Sequence, residues 1–303
     1  MKRYLSILLT LSLYSCETKL DLSLDPEDSQ VVVNAFITND TTINVNLSLT
    51  KPLFQEGDTL FEDIQNAQVF LFENNNPIGT MVNMGGGLYS IPEYFAFTES
   101  QYKIEFQYSG KTISGETEIP TPISIDSIDF ISNFGVTEFG DKYHLLKTSF
   151  RDPGTISNYY EIAVKFEYLD SVRFFGYLTD YFTLFSNDII IANEMDTRNP
   201  GFWSDHVVFS DELFSSDTIT ISINCSSPLQ SGFLTKQRIT VFLNTISKEY
   251  YLFNKKLLLY KQSTSNEVWE DISEPVIMYS NIMNGYGIFA GYSTDTLSFV
   301  IGE

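Results

Sequence analysis

Apolar and polar residues alternate with a period of two along several short segments of this chain. The segment from Ile43 to Thr50 places four aliphatic side chains on one face and four polar side chains on the other. The segment from Tyr102 to Tyr108 repeats the pattern, and a Ser109-Gly110 turn leads into a second run from Lys111 to Ile119. A period of two is that of a β-strand with one buried face, so these segments predict antiparallel strands.

Further short strands and turns complete this pattern in the first 120 residues. Strands are predicted from Val31 to Ile37 and from Gln68 to Glu73. Turn-forming residues separate the strands at Asn39-Asp40, Asn74-Asn75-Asn76-Pro77 and Gly85-Gly86-Gly87. The frequent phenylalanine (25 residues) and tyrosine (18 residues) also favour strands. We therefore expect an all-β protein in which residues 30–120 form an immunoglobulin-like or transthyretin-like β-sandwich.

Two prolines at Pro120-Thr121-Pro122 interrupt the strand pattern. Proline has no N–H to donate to a sheet and restricts the residue before it, so a domain boundary is predicted here. Residues 121–303 are then expected to form a second, mostly β domain. Its predicted strands are Ile123–Ile131, Tyr143–Phe150, Asn158–Leu169, Asp217–Asn224 and Arg238–Leu243.

One prominent helix is predicted in this second domain, near residues 247–261. Its apolar residues recur at helical spacing and are expected to pack on the core: Ile246, Tyr250, Phe253, Leu257 and Tyr260. Ser247 is suited to cap the first turn. The stretch from Asp180 to Glu212 has no clear period and is interpreted as a long, partly ordered loop, where binding residues are often found.

The first sixteen residues have the layout of an export signal. Two basic residues precede an uncharged, largely apolar run from Tyr4 to Tyr14, which is too short to span a bilayer. Leu13-Tyr14-Ser15-Cys16 then resembles the cleavage motif of bacterial lipoproteins. Residues 1–15 are expected to be a signal peptide, and Cys16 to carry the acyl chains that anchor the protein in the lipid bilayer. The alternative is an ordinary cysteine behind a cleaved signal.

Residues 16–29 are polar and acidic and are expected to form a tether between the lipid and the folded chain. An acidic stretch behind the anchoring cysteine is typical of lipoproteins displayed at the cell surface. Lys19 interrupts the acidic residues here. Display at the cell surface is therefore only slightly favoured over the periplasmic face of the outer membrane.

The acidic composition narrows the range of partners. The formal net charge is −21, which repels phosphate backbones and argues against a nucleic-acid partner. The chain has two cysteines, so an acylated Cys16 would leave Cys225 without a partner for an intrachain disulfide. Cys225 follows an alternating run and is expected to behave as a small buried apolar residue.

The sequence offers few residues for catalysis. Of the two histidines, His144 lies in a predicted strand and is expected to be structural, whereas His206 lies in the irregular stretch and is the better functional candidate. We recognise no nucleophile elbow, zinc-binding pair or phosphate-binding loop. The protein is expected to be non-catalytic, with no cofactor and no metal. A glycan or peptide hydrolase is a weaker alternative that stays open, because a glycosidase needs only two carboxylates and so acidic a sequence offers many.

A short motif recurs along the chain: Asp, then Ser or Thr, then an aliphatic residue or threonine. It resembles the acceptor signal for O-glycosylation of exported proteins in the Bacteroidota. The alternative is that acid–hydroxyl pairs simply begin strands after turns. The candidate acceptors are Thr41, Thr59, Ser127, Ser171, Thr218 and Thr296.

Several segments together resemble a family of Bacteroidota lipoproteins, the domain of unknown function family numbered 4249. The matching pieces are Cys16 with its acidic tether, Val31–Thr38, Ala67–Phe72, Gly87-Leu88-Tyr89, the hairpin from Tyr102 to Ile119, and Ser280–Gly291. The resemblance implies a lipid-anchored outer-membrane protein, often encoded beside a TonB-dependent receptor. It implies no catalytic residues.

These features predict an accessory or ligand-binding lipoprotein that acts with a TonB-dependent transporter or another outer-membrane assembly. A stand-alone surface adhesin or structural module is the alternative. Aromatic side chains in the less regular segments are the candidate ligand contacts, because they combine rigid area with polar tips. These candidates are Tyr177, Tyr181, Phe182, Trp203, Tyr286 and Tyr292.

Overall fold

The computed structural model describes residues 29–51, 61–137, 140–154, 156–169, 179–194, 204–214, 217–226, 236–265 and 276–302. These residues are mostly in β-strands, which confirms the prediction of an all-β protein. The described helices are α1 (Ile189–Glu194) and α2 (Lys248–Ser265).

The strands fall into three sheets. They are β1 (Val31–Thr38), β2 (Thr42–Leu49), β3 (Phe70–Glu73), β4 (Asn76–Thr80), β5 (Val82–Gly85), β6 (Leu88–Phe95), β7 (Ser100–Tyr108), β8 (Lys111–Ile119), β9 (Ile125–Val136), β10 (Lys142–Arg151), β11 (Tyr159–Tyr168), β12 (Thr179–Tyr181), β13 (Thr183–Phe185), β14 (His206–Ser210), β15 (Thr218–Ser226), β16 (Gln237–Ile246), β17 (Ile282–Met283) and β18 (Tyr286–Ile301). The described part of the chain contains a nine-stranded sheet in the order β12-β11-β16-β18-β1-β2-β6-β5, with β14 also paired to β11. The smaller sheets have the orders β13-β15-β10-β9 and β17-β8-β7-β3-β4.

The first core lies where the β1–β2–β6 part of the large sheet packs on the five-stranded sheet. Alternate residues of β1 point into it, including Val33 and Ile37, as the period-two pattern requires. Ile282 and Phe289, from the far end of the chain, belong to the same core. The predicted β-sandwich is therefore present, and its core includes residues from β17 and β18.

The second core lies between the β11–β16 part of the large sheet and the four-stranded sheet. Strand β11 contributes Tyr160, Ile162, Val164 and Phe166, which alternate with residues on the opposite face of the large sheet. Cys225 is buried in this core, as expected, and burial raises the pKa of its thiol. His144 stacks on Phe130 and has a pKa lowered by burial, which fits the structural role predicted for it.

Strand β18 joins the two cores. Its first half pairs in parallel with β1, from Val32↔Tyr286 to Thr38↔Tyr292, and its second half pairs antiparallel with β16. A side chain on Gly287 would lie 2.0 Å from the carbonyl oxygen of Val33, and the φ of Gly287 is +103°. Glycine is therefore required where β18 meets β1.

Two sequence-based interpretations need revision. The described part of the stretch from 180 to 212 is not a loop, since it forms β12, β13, α1 and β14. Helix α2 begins where predicted, and the hydroxyl of Ser247 accepts a hydrogen bond from the N–H of Tyr250 at 3.3 Å. The most buried aromatic of α2 is Tyr251, outside the predicted stripe, whereas Tyr260 at the end of that stripe is exposed.

Candidate functional site

A basin of about 530 Å³ opens on the face of the nine-stranded sheet that carries α2. Its floor comes from β11, β16 and β18, and its walls come from the β1–β2 turn, β12, the start of β14 and the first turn of α2. The residues that line it are Thr38, Asp40, Thr41, Glu161, Ala163, Tyr181, Asp205, His206, Phe242, Asn244, Tyr250, Tyr292, Thr294 and Thr296. We refer to this set of residues as the basin.

The strand register explains why these distant residues meet. Glu161 pairs with Asn244, and Asn244 pairs in turn with Thr294 on the next strand. Residues opposite one another in antiparallel strands share a face, so the three side chains form a row across the floor. Ala163, Phe242 and Thr296 form the neighbouring row in the same way, and His206 pairs with Ala163 at its end.

Glu161 lies beneath the basin with only 6% of its surface exposed. One carboxylate oxygen accepts a hydrogen bond from Asn244 Nδ2 at 2.7 Å, and the other accepts one from the Tyr250 hydroxyl at 2.8 Å. Thr294 holds the amide of Asn244 in place by donating to its Oδ1 at 2.7 Å. Among the described residues, no ion pair includes Glu161, so neutral donors alone bind its charge.

His206 and Asp205 form a second polar group at the edge of the basin. The imidazole Nδ1 and Asp205 Oδ1 are 2.7 Å apart. Burial by itself would lower the pKa of His206, but the hydrogen bond to Asp205 and the charges of Glu161 and Asp205 outweigh it and raise this pKa. The same hydrogen bond lowers the pKa of Asp205 to about 2. The pair therefore favours a charged imidazolium beside a charged carboxylate.

Four aromatic rings stand around the polar floor: Tyr181, Phe242, Tyr250 and Tyr292. The rings of Tyr250 and Tyr292 are 5.9 Å apart, and those of Tyr181 and Phe242 are 6.4 Å apart. Burial and the charge of Glu161 raise the pKa values of Tyr250 and Tyr292, so both hydroxyls remain neutral donors. The basin thus combines aromatic faces with hydroxyls and negative charge.

A second buried carboxylate lies near α2 but outside the basin. Glu194, on α1, is 7% exposed and accepts hydrogen bonds from the N–H and the hydroxyl of Ser210, and from the hydroxyl of Tyr251. The ammonium of Lys255 lies 2.8 Å from Glu194 Oε2. Burial would raise the pKa of Glu194, but the hydrogen bonds from Lys255, Ser210 and Tyr251 lower it overall. This closed cluster ties α2 to α1 and β14.

The structure separates the predicted ligand-contact aromatics. Tyr181 and Tyr292 line the basin. Phe182 is only 1% exposed and packs against Phe166 in the second core, so it is not a surface contact. Tyr286 is 57% exposed but lies at the other end of the β1–β18 pairing from Tyr292. Cys16, Tyr177 and Trp203 lie outside the described residues.

The candidate O-glycosylation sites have different surroundings. Ser127 and Thr218 are exposed on β9 and at the start of β15. Thr41 and Thr296 are exposed but line the basin, so a glycan on either would occupy it. Thr59 and Ser171 lie outside the described residues. Use of these motifs stays a prediction.

Sequence reasoning named His206, Tyr181 and Tyr292 but missed Glu161 and Asn244. A signal for Glu161 was present, because it is the acidic residue inside the apolar run from Tyr159 to Val164. Such a residue is rarely buried without a partner. Its partner Asn244 is 83 positions away along the chain, so the pairing was visible only in the fold.

The described residues include no group of three or more His, Cys, Asp or Glu side chains suited to hold a metal ion. Within the same residues, neither helix combines the length and apolar character needed to cross a bilayer. The hydroxyl of Ser204 contacts Asp205 rather than the imidazole of His206, so these three residues do not form the relay of a serine hydrolase.

The family model described as "Domain of unknown function (DUF4249)" matches residues 17–298. The chain therefore belongs to this family, as the sequence resemblance predicted. A comparison with curated proteins found no match.

Two of the solved structures that match this chain are distant likenesses. A membrane anchored protein from Corynebacterium diphtheriae is 11% identical, with a TM-score of 0.23, and the match covers 74% of this chain and 55% of that one. Bacteroides uniformis β-glucuronidase is 9% identical, with a TM-score of 0.19, and the match covers 67% of this chain and 31% of that one. The chain thus spans about half, or less, of the structures that it matches.

Proposed function

We propose that this protein is a lipid-anchored, non-catalytic accessory protein of the outer membrane that holds a small ligand in the basin and works beside a TonB-dependent transporter. The observation that carries the binding role is the basin, where residues from seven elements bring four aromatic rings and several polar groups around a buried carboxylate. Concave sites with aromatic walls and a few placed polar groups are typical of ligand-binding proteins. The resemblance of residues 1–16 to a lipoprotein signal supports the membrane setting.

The direction of β1 supports an arrangement in which the basin faces away from the bilayer. The proposed anchor, Cys16, precedes β1, so its tether joins the strand at Val31. The β1–β2 turn at the other end of the strand contributes Asp40 and Thr41 to the basin. Eight strand residues span about 25 Å, and Thr38 at the end of β1 lines the basin, so the basin begins about that far from the point of attachment.

Two observations favour binding over catalysis. The imidazole of His206 is held between Asp205 and Asn254, and no hydroxyl of the described residues is bonded to it. Each oxygen of Glu161 accepts a hydrogen bond, from Asn244 or from Tyr250, and this fixes the position of the carboxylate as a binding residue requires.

The first experiment is purification of the native protein from its own membrane in mild detergent, followed by mass spectrometry of the proteins that accompany it. We expect a TonB-dependent receptor in near-stoichiometric amount. A Cys16→Ala variant should lose the acyl mass and leave the membrane fraction. Recovery of the lipoprotein without a β-barrel partner would contradict the transporter role and favour the adhesin alternative.

A further inference from the structure

The charges that line the basin do not balance within the described part of the chain. There, three carboxylates line it, on Asp40, Glu161 and Asp205, against one ionisable base, His206. Even with a protonated imidazole, the lining has an excess of two negative charges. Lys165, opposite Tyr181 in the strand register, and Lys261, whose charge reaches Asp205, adjoin the basin but do not line it.

Glu161 is the member of this set with the strongest requirement for a positive charge. It is almost completely buried, and neutral groups donate its hydrogen bonds. Each carboxylate oxygen can accept a second hydrogen bond beyond the one from Asn244 or Tyr250. Buried carboxylates in proteins are usually paired with a cation, because removal of an unpaired charge from water is costly.

The aromatic walls favour the same kind of ligand. Aromatic faces attract ammonium and guanidinium groups, most strongly where water is partly excluded. Tyr250 both donates to Glu161 and lies against Tyr292, so a cation above the carboxylate would also face these rings. A neutral sugar could use the hydroxyls and rings of the basin but would bring no positive charge to Glu161.

We infer that the basin binds an organic cation, in which a primary ammonium or guanidinium group sits over Glu161 beside the rings of Tyr250 and Tyr292. This inference rests on the proposed function only in taking the basin as the ligand site. The cation belongs either to a free amine or to a lysine or arginine side chain of a peptide, since both present the same group.

The test is isothermal titration of the purified folded chain with 1,5-diaminopentane and with the uncharged 1,5-pentanediol. We expect binding of the diamine and none of the diol. Titration with a blocked lysine tripeptide distinguishes the two sources, because tighter binding of the tripeptide than of the diamine identifies a peptide ligand. Maltose is titrated as a neutral sugar. Equal binding of diamine and diol would overturn the inference, and so would binding of maltose without binding of the diamine.

Two matched variants locate the charge that matters. Glu161→Gln should weaken diamine binding at least tenfold. Glu167→Gln is the control, because Glu167 lies on the same face of the same strand but outside the basin, where it pairs with Arg238. This variant should change the affinity for the diamine less than twofold. Equal losses in both variants would refer the effect to overall charge and contradict a site at Glu161.

The same experiments separate this inference from the transporter role. Diamine binding in a protein that never recovers a receptor would overturn the proposed partnership and leave the ligand class standing. Recovery of a receptor by a protein that binds no cation would overturn the ligand class and leave the partnership standing. A Tyr292→Leu variant gives a second check on the site, since it removes the ring beside Tyr250 without changing charge and should also weaken diamine binding.

Discussion

Two glutamates near α2 have similar burial and different surroundings. Glu161 and Glu194 are 6% and 7% exposed, and consecutive residues of α2, Tyr250 and Tyr251, donate a hydrogen bond to each. Glu194 also has the ammonium of Lys255 at 2.8 Å, whereas Glu161 has no ion pair with any residue that the structure describes and lies at an open basin. The comparison separates a carboxylate that completes the fold from one that is available to a ligand.

The largest expected effect on stability concerns two adjacent residues at the edge of the large sheet, of which one is buried and the other is exposed. Phe182 is packed in the second core, and Tyr181 is 45% exposed in the basin. Phe182→Ala should lower the free energy of unfolding by about 3–5 kcal/mol, because it leaves a cavity. Tyr181→Ala should cost less than about 1 kcal/mol. Urea denaturation of both variants provides the measurement, and similar losses would refute the division of this edge into packed and open sides.

The second-largest loss of stability is expected when the ammonium of Lys255 is removed from the closed cluster around Glu194. Lys255→Met leaves Glu194 buried without its ion pair and should cost about 2 kcal/mol, below the usual figure for a buried pair because the lysine is partly exposed. The neighbouring Lys256→Met, at an exposed position, serves as the control and should cost less than about 0.5 kcal/mol. Thermal or urea unfolding that fails to distinguish the two variants would remove the structural role from Lys255.

The open carboxylate should behave in the opposite way. Glu161→Gln should change the free energy of unfolding by less than about 1 kcal/mol, because it removes a buried charge that forms no ion pair within the described part of the chain, and because the Tyr250 hydroxyl can rotate to accept from the new amide. Denaturation in the absence of any added amine is the measurement. A loss as large as that of Lys255→Met would show that Glu161 has a structural role like that of Glu194 and would contradict the difference between the two carboxylates.

The smallest effects are in pH dependence. The pKa of His206 is raised by Asp205 and Glu161, and that of His144 is lowered by burial, so their NMR titrations should have midpoints on opposite sides of the ordinary value of about 6.5. The stabilisation from His206 should be complete below that value and lost as pH rises through its raised pKa. Glu194 should act in reverse, with stabilisation complete above its ordinary pKa and lost as pH falls through the lowered one. A His206→Gln variant assigns the resonances, and coincident titrations would contradict the electrostatics of the basin.

The sequence predicted the strands that have one clear buried face. The segment from Ile43 to Thr50 corresponds to β2, and the hairpin from Tyr102 to Ile119 corresponds to β7 and β8. The sequence did not reveal β18, because its first half is buried between β1 and other elements and contains Gly287 and Gly291 where neighbouring backbones approach closely. Because glycines are typical of loops, the sequence pattern did not indicate a strand here.

The candidate site was predicted only in part. Tyr181, Tyr292 and His206 were identified by type and by position in less regular segments, and they do line the basin. Phe182 was chosen on the same grounds but points into the core, because neighbouring residues along an extended chain point in opposite directions. The row that contains Glu161 and Asn244 depends on the pairing of β11 with β16, which no local pattern specifies.

The position of β1 between two neighbours has a mechanical consequence. The strand pairs with β18 on one side from Val32 to Thr38, and with β2 on the other side from Val31 to Asn34. If the chain is tethered to a membrane before Val31, a pull on the tether acts along β1 and shears both ladders of hydrogen bonds together, instead of opening them one at a time. Resistance to such a pull depends on the rate of forced unfolding. The strand nearest the attachment, β1, is hydrogen-bonded to a neighbouring strand on both of its edges. The force of fluid drag on the folded protein would therefore act on the paired strands β1 and β18, which join the two cores.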